Sequence, residues 1–172
     1  MQQLNLNKKY LFVTRGLPGS GKSTFVKNNF QNFTIICPDV LRKEEFKRLK
    51  AKYSLVRPGP INEHKIWVTA FNLLEKSLQV NKYTVFDATN TLERYLTKYN
   101  KLCKQYDAQL VIISFEKVDI EICKERNKCR TLFDFVPEDV IDRMKKQLSN
   151  SIQGETKNYV VDYDKFDLTN YN

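Results

Sequence analysis

Residues 16–24 read GLPGSGKST, and three of the five glycines in the chain fall inside this stretch. Gly16, Gly21, Lys22 and Ser23 fit the phosphate-loop pattern G-x-x-x-x-G-K-[ST]. Gly16, Gly19 and Gly21 allow a tight turn that side chains would block. The backbone N–H groups along this turn, through Ser20 and into Thr24, would wrap a phosphate. The helix that follows would add its positive end. Lys22 would reach the β- and γ-phosphates from a surface loop, and the Ser23 hydroxyl would serve Mg²⁺. The bland alternative is a structural loop. Full spacing with correct flanks favours a nucleotide site for ATP, with GTP also admissible.

Two carboxylates join this loop once the chain is read as alternating strands and helices. Asp39 and Asp87 are expected at the exits of the second and third strands, where ligands gather in a parallel sheet. Asp39 would orient an acceptor hydroxyl and take its proton. Arg42, three residues on, would share its helical face and suit a phosphate beside that hydroxyl. Asp87, in DATN, would hold Mg²⁺ or organise the acceptor loop, with Asn90 either beside the acceptor or a turn residue. Arg126 and Arg130 are four apart in CKERNKCR, so one helical turn would stack them to clamp the transferring phosphoryl group. Their place before a proline-started helix suggests a lid over residues 124–139. His64 reads as a surface residue, and Trp67 as core packing rather than a base platform.

The elements that must position these groups follow from periodicity. Apolar, β-prone runs predict strands at residues 10–14, 33–39, 83–90, 108–116 and 158–164. Helices are predicted from residue 25, at 40–53, at 62–79 with Ile66, Ala70, Leu73, Leu74 and Leu78 on one side, and at 91–106 with Thr91 as cap. Two more follow, from Asp119 into a charged loop and at 137–148 after Pro137. RPGP at 57–60 breaks the second helix. This alternation predicts an α/β fold of the P-loop NTPase type, with a parallel five-stranded sheet, helices on both faces and a helical lid. The tail after Phe166 carries no pattern.

Composition narrows the classes. The chain has 172 residues, 41% hydrophobic and 28% charged, which is most simply one globular domain over residues 1–172. No run of apolar residues is long enough to span a membrane, and MQQLNLNKKY has no secretory stretch. Cys37, Cys103, Cys123 and Cys129 make no zinc spacing and read as reduced thiols, which suggests a cytoplasmic protein. The formal net charge is +9. Residues 42–65 hold eight Lys or Arg against three Glu, a local excess of +5 that suits a polyanionic partner.

Taken together, GLPGSGKST, PDVLR, FDATN and ERNKCR followed later by VP resemble the 5′-hydroxyl polynucleotide kinase branch of the P-loop kinases over most of residues 10–163. The resemblance implies that Asp39 is the general base and that Arg42 contacts the acceptor strand's 3′-phosphate. Lys22 and Ser23 would serve the donor phosphates, Asp87 would organise the acceptor site, and Arg126 or Arg130 would contact the β- and γ-phosphates. Members are often fused to a phosphatase or ligase. At this length the chain leaves no room for one, so a separate partner is implied. Two other readings stand beside transfer to a nucleic-acid 5′-hydroxyl: a small-molecule or modified-base kinase, and a non-enzymatic nucleotide switch or scaffold.

Overall fold

The computed structural model describes residues 8–53, 61–150 and 159–171. Its strands are β1 (Lys9–Arg15), β2 (Thr34–Ile36), β3 (Tyr83–Phe86), β4 (Ala108–Ser114) and β5 (Val160–Asp162). Its helices are α1 (Lys22–Asn29), α2 (Pro38–Tyr53), α3 (Glu63–Val80), α4 (Glu93–Gln105), α5 (Ile120–Lys128) and α6 (Glu138–Asn150). The five strands form one parallel sheet in the order β2-β3-β1-β4-β5. Parallel strands need long crossovers, and the helices supply them.

The sheet is covered on both faces, as its apolar central strands require. Successive side chains of β1 point to opposite faces. Leu11 and Val13 therefore join a core with Ala70, Leu74 and Leu78 of α3 and Leu96 and Leu102 of α4. Phe12 joins the other core, with Val26 of α1, Phe30 and Phe115. A third cluster, Leu17, Cys123, Ile141 and Leu148, packs α5 and α6 beside the phosphate loop.

Several expectations shift. The second strand keeps only three residues, and Pro38 opens α2, so Asp39 lies in the helix's first turn rather than on a strand. Proline suits that first position because its missing N–H would be unpaired there anyway. The first helix starts at Lys22, earlier than its apolar spacing suggested. Leu73 is 40% exposed, and Phe71 and Ser77 take its place on the buried face of α3. Thr91 does not cap α4; Leu92 stands at the cap and the Thr91 hydroxyl donates to Gln147 Oε1 at 2.7 Å. The tail is also not idle. Residues Leu168–Tyr171 form a 3₁₀ turn, and the Tyr171 ring lies 5.4 Å from Phe12 and 5.5 Å from Tyr10. The expected break at 57–60 and Arg57 fall outside the described residues. All four cysteines are unpaired. Among the described residues no helix is long and apolar enough to cross a membrane.

The sheet register brings the ends of β1 and β3 side by side, with Val13 opposite Phe86. The β3 exit loop is tied to the start of the phosphate loop. Gly16 N–H donates to Thr89 O at 3.0 Å, and Asn90 Nδ2 donates to Thr14 O at 2.7 Å. Asn90 has φ 46°, a left-handed conformation that asparagine tolerates, and is 1% exposed. Tyr99 of α4 donates its hydroxyl to Asn90 Oδ1 at 2.8 Å. On the other side of β1, fully buried Arg15 pairs with Glu116 at 3.0 Å and donates to Leu148 O at 2.8 Å, which fastens α6 to the sheet.

Removing the Tyr99 hydroxyl strands a buried acceptor. Tyr99→Phe should therefore lower unfolding free energy by about 1–3 kcal/mol. Tyr95→Phe, whose hydroxyl accepts only a long 3.4 Å bond from Arg94, should stay within about 0.5 kcal/mol. Urea denaturation of the two variants checks the difference, and equal midpoints would contradict it.

Candidate functional site

The phosphate loop takes its shape from close backbone approach. A Cβ at Gly19, where φ is 82°, would run into the carbonyl of Cys123. A Cβ at Gly16 would meet the Phe115 Cβ at 2.7 Å. These contacts press the loop against β4's exit and α5. Gly21 is the left-handed N-cap of α1, and no side chain caps the first-turn N–H groups, so they point toward the site. Lys22 is buried rather than on an open surface, a correction to the expectation from sequence. Its Nζ donates to Leu17 O at 2.6 Å and Ser20 Oγ at 3.3 Å. Burial lowers its pKa to about 8, an effect partly opposed by the nearby Asp87 carboxylate.

Asp87 is the centre of the polar arrangement. It is 5% exposed and accepts from Thr14 Oγ1 at 2.8 Å and from Ser23 Oγ at 2.8 Å. The first bond ties β3 to β1; the second reaches the first turn of α1. A hydroxyl and a carboxylate held together in this way fit a small hard cation that keeps most of its water. Among the described residues no cluster of three or more His, Cys, Asp or Glu would enclose a metal by protein ligands alone. Mg²⁺ bound through one carboxylate, a hydroxyl and substrate phosphates is the kind of site this pair suits.

On the other side of the loop, α2 carries Asp39 and Arg42. The Arg42 guanidinium pairs with Asp39 Oδ1 across one helical turn. It also grips Glu63 at the start of α3, with Nε to Oε1 at 2.7 Å and Nη2 to Oε2 at 2.9 Å. Burial alone would lower the Arg42 pKa. The Glu63 hydrogen bond and the Asp39 charge outweigh it, so the net shift is upward and Arg42 stays charged. Sequence reasoning missed Glu63, since no spacing rule joins residue 63 to residue 42. The local basic excess is also smaller in effect than its count. Besides Arg42, Lys43 pairs with Asp134 at 2.8 Å, Arg48 with Glu45 at 2.7 Å and Lys65 with Glu45 at 3.7 Å.

The two arginines expected on one helical turn are not so placed. Arg126 lies on α5 and reaches Gly19 O at 3.5 Å. Helix α5 ends at Lys128 with Cys129 as C-cap, so Arg130 lies beyond it, its Nη1 directed at Asp134 O at 3.4 Å. Asn127, which no motif singled out, closes the neck of this loop. Its Nδ2 donates to Val136 O at 2.7 Å, and its Oδ1 accepts from Val136 N at 3.1 Å. At the loop's tip, Phe133 packs 5.1 Å from Phe46 of α2. Residues 124–139 thus bridge the phosphate loop and α2.

Two cavities meet at the phosphate loop. The larger, about 890 Å³, is lined by Gly19, Ser20, Gly21, Thr24, Arg126, Phe115 and Tyr163 among others. The smaller, about 330 Å³, holds Asp39, Arg42, Glu63, Asp87, Trp67 and Phe135. Lys22, Ser23 and Arg130 line both. A third groove of about 790 Å³ opens from Asp39, Asp87 and Arg130 past Lys27 and Lys43. Among the site residues expected from sequence, Gly16 and Asn90 line none of the three, and the Asn90 side chain is committed to Thr14 and Tyr99. His64 is exposed and outside them too. Trp67 packs on the core, stacked 4.6 Å from Tyr95, yet also lines the smaller cavity.

Known proteins share this architecture. A chain of the Pnkp1/Rnl/Hen1 RNA repair complex superposes with a TM-score of 0.67 at 24% identity, over 95% of this chain and 48% of that one. The present chain thus spans about half the length of that relative. A second structure of the Pnkp1/Rnl/Hen1 complex matches at 0.56 and 21% identity, over 76% and 42% of the two chains. A gluconokinase from Sinorhizobium meliloti 1021 matches at 0.55 and 19%, over 89% and 81%. At these identities the likeness is one of fold. The phosphate loop, its buried lysine and the Ser23–Asp87 pair are those of an ATP-binding P-loop protein. The family description "AAA domain" matches residues 11–150, and the chain belongs to that family of P-loop NTPases.

Proposed function

We propose that this chain transfers the γ-phosphoryl group of ATP to the 5′-hydroxyl end of an RNA or DNA strand. The observation that carries the reading is the pair of cavities meeting at Lys22, Ser23 and Arg130. A donor in the larger cavity and an acceptor in the smaller would meet at these residues, with the attacking and leaving oxygens on opposite sides of the γ-phosphorus. In-line transfer needs that arrangement and little covalent chemistry from protein. The acceptor oxygen attacks the γ-phosphorus, the bond to the β–γ bridging oxygen breaks, and the hydroxyl proton passes to Asp39. Lys22 and Arg126 or Arg130 would offset the charge that develops on the donor phosphates.

Arg42, held by Asp39 and Glu63, would receive the phosphate that follows the terminal nucleoside. The groove past Lys27 and Lys43 supports a polymeric acceptor, because a strand needs an exit from the site. Mg²⁺ would be held by Ser23 and Asp87, and when bound it neutralises donor phosphate charge. The bridge of residues 124–139 would act as a lid. The structural relative's place in an RNA repair complex supports both the substrate class and a separate repair partner, a phosphatase or ligase. A second reading, a small-molecule kinase, draws on the gluconokinase likeness and the modest size of the smaller cavity.

Incubating the chain with ATP and either a 5′-hydroxyl oligonucleotide or gluconate separates these readings. Label on the oligonucleotide alone is expected; label on gluconate alone would move the chain to the metabolite kinases. Asp39→Asn should lower the transfer rate by roughly 10² or more while leaving ATP affinity unchanged. Glu63→Gln should instead raise the acceptor KM, since it loosens Arg42 before chemistry as well as during it. Steady-state kinetics in both substrates distinguishes the two, and an unchanged rate for Asp39→Asn at saturation would remove it as base.

Asp87→Asn keeps a hydrogen-bond acceptor for Thr14 but removes the charge. It should weaken Mg²⁺-dependent ATP binding by about 10- to 100-fold, with ATP binding in the absence of Mg²⁺ little changed. Calorimetric titrations with and without Mg²⁺ test this, and equal losses in both would assign Asp87 a purely architectural role.

A further inference from the structure

In the basic stretch of residues 42–65, Arg42, Lys43, Arg48 and Lys65 are all tied to acids. A second set of cations is not. Helix α4 carries Arg94, Lys98 and Lys101 at the i, i+4, i+7 spacing that puts residues on one stripe. All three are exposed, while Leu96, Tyr99, Leu102 and Cys103 turn the other side of the helix to the core. Among the described residues no carboxylate pairs with any of the three. The one acid of α4, Glu93, lies in its first turn.

Aromatic rings, not carboxylates, hold two of these cations. The Arg94 guanidinium lies 5.1 Å from the Tyr95 ring centroid, and Lys98 Nζ lies 3.5 Å from that of Phe71. A π-face orients a cation without cancelling its charge. The stripe is therefore positioned yet still carries its full positive charge toward water. It also starts close to the site. Tyr95 stacks 4.6 Å from Trp67, and Trp67 lines the smaller cavity.

We propose that the outward face of α4 binds the phosphate backbone of a nucleic acid, at a stretch remote from the reacting 5′ end. Arg94 to Lys101 spans about 10 Å of helix at 1.5 Å per residue. Phosphates along one strand of a duplex rise about 3.4 Å each, so this length matches about three of them. No large apolar side chain of α4 is exposed, so the face offers charge without the anchor that a lipid surface would need. No residue of α4 lines the groove past Lys27 and Lys43. The backbone that α4 holds is thus a further part of a folded acceptor, or its complementary strand. The inference rests on the polynucleotide kinase reading for the reacting end and extends it, since a metabolite acceptor has no remote phosphates to offer.

The test uses two 5′-hydroxyl acceptors, a hairpin with a single-stranded 5′ tail and a nucleoside 3′-phosphate, each in ribose and deoxyribose form. The triple variant Arg94→Gln, Lys98→Gln, Lys101→Gln should bind the hairpin with a weaker salt dependence, its log–log slope smaller by about 2 to 3. Lys101→Gln alone meets no ring and should lower the slope by about 1. Transfer to the nucleoside 3′-phosphate, which carries only the phosphate meant for Arg42, should stay at the wild-type rate in both variants. An unchanged slope would make the stripe a solvated helix face and overturn the proposal. So would an equal fall for Lys146→Gln, the same charge change on exposed α6 surface. Polyglutamate binding as tightly as the hairpin, with the same loss in the variants, would assign the face to an acidic protein segment instead. No transfer to either acceptor by the wild-type chain, with the slope changes intact, would remove the kinase reading and leave the backbone site standing.

Discussion

The site depends on one carboxylate accepting two hydroxyl hydrogen bonds. Asp87, at the end of β3, accepts from Thr14 at the end of β1 and from Ser23 in the first turn of α1. Two neighbouring elements, β1 and α1, converge on this residue of a distant third. Parallel pairing of β1 with β3 makes this possible, because it aligns the two strand exits on the same edge. A charge so nearly buried persists only if its oxygens are paired, and here both are. The same bonds fix the mouth of the phosphate loop, on which both cavities border.

Around this node the electrostatics are arranged rather than merely basic. Lys22 is drawn inward, and burial lowers its pKa to about 8 with Asp87 as partial compensation. An ammonium in such surroundings is poised for an anion, since a phosphate would supply the partner charge that burial makes costly to lack. Arg42 differs in kind. It is already satisfied by Glu63 and Asp39, so it is oriented before any ligand arrives. Orientation of this sort lowers the entropy lost when any anion docks against it. The chain's large positive charge acts at longer range, as a field that attracts polyanions, and several of its local members are tied to acids.

The segment between α5 and α6 joins these parts. Asn127 clips its neck and Lys43–Asp134 with Phe46–Phe133 hold its tip to α2. Exposed ion pairs and a single ring contact are weak ties. The neck is therefore held more firmly than the tip. Arg130 of this segment lines both cavities, and Phe135 lines the smaller.

Much of this was legible from sequence because it is local. The phosphate loop is a contiguous pattern whose spacing encodes a backbone turn, and alternating strand and helix periods were enough for a parallel α/β sheet. Asp39 and Arg42 are three apart, so helical geometry alone brought them together. Other features required the tertiary fold. Glu63 reaches Arg42 only because α2 and α3 pack side by side, and no rule of spacing spans that distance. Asn90 shared a motif with Asp87, yet a left-handed backbone and the Tyr99 hydroxyl turned its side chain inward. Arg130 left the helix that sequence periodicity gave it, because α5 stops at Lys128. Lys22 looked like a surface lysine, and the packing of α5 against Gly19 buried it. Local chemistry determined which residues could act; the crossing of distant elements decided which of them face the same space.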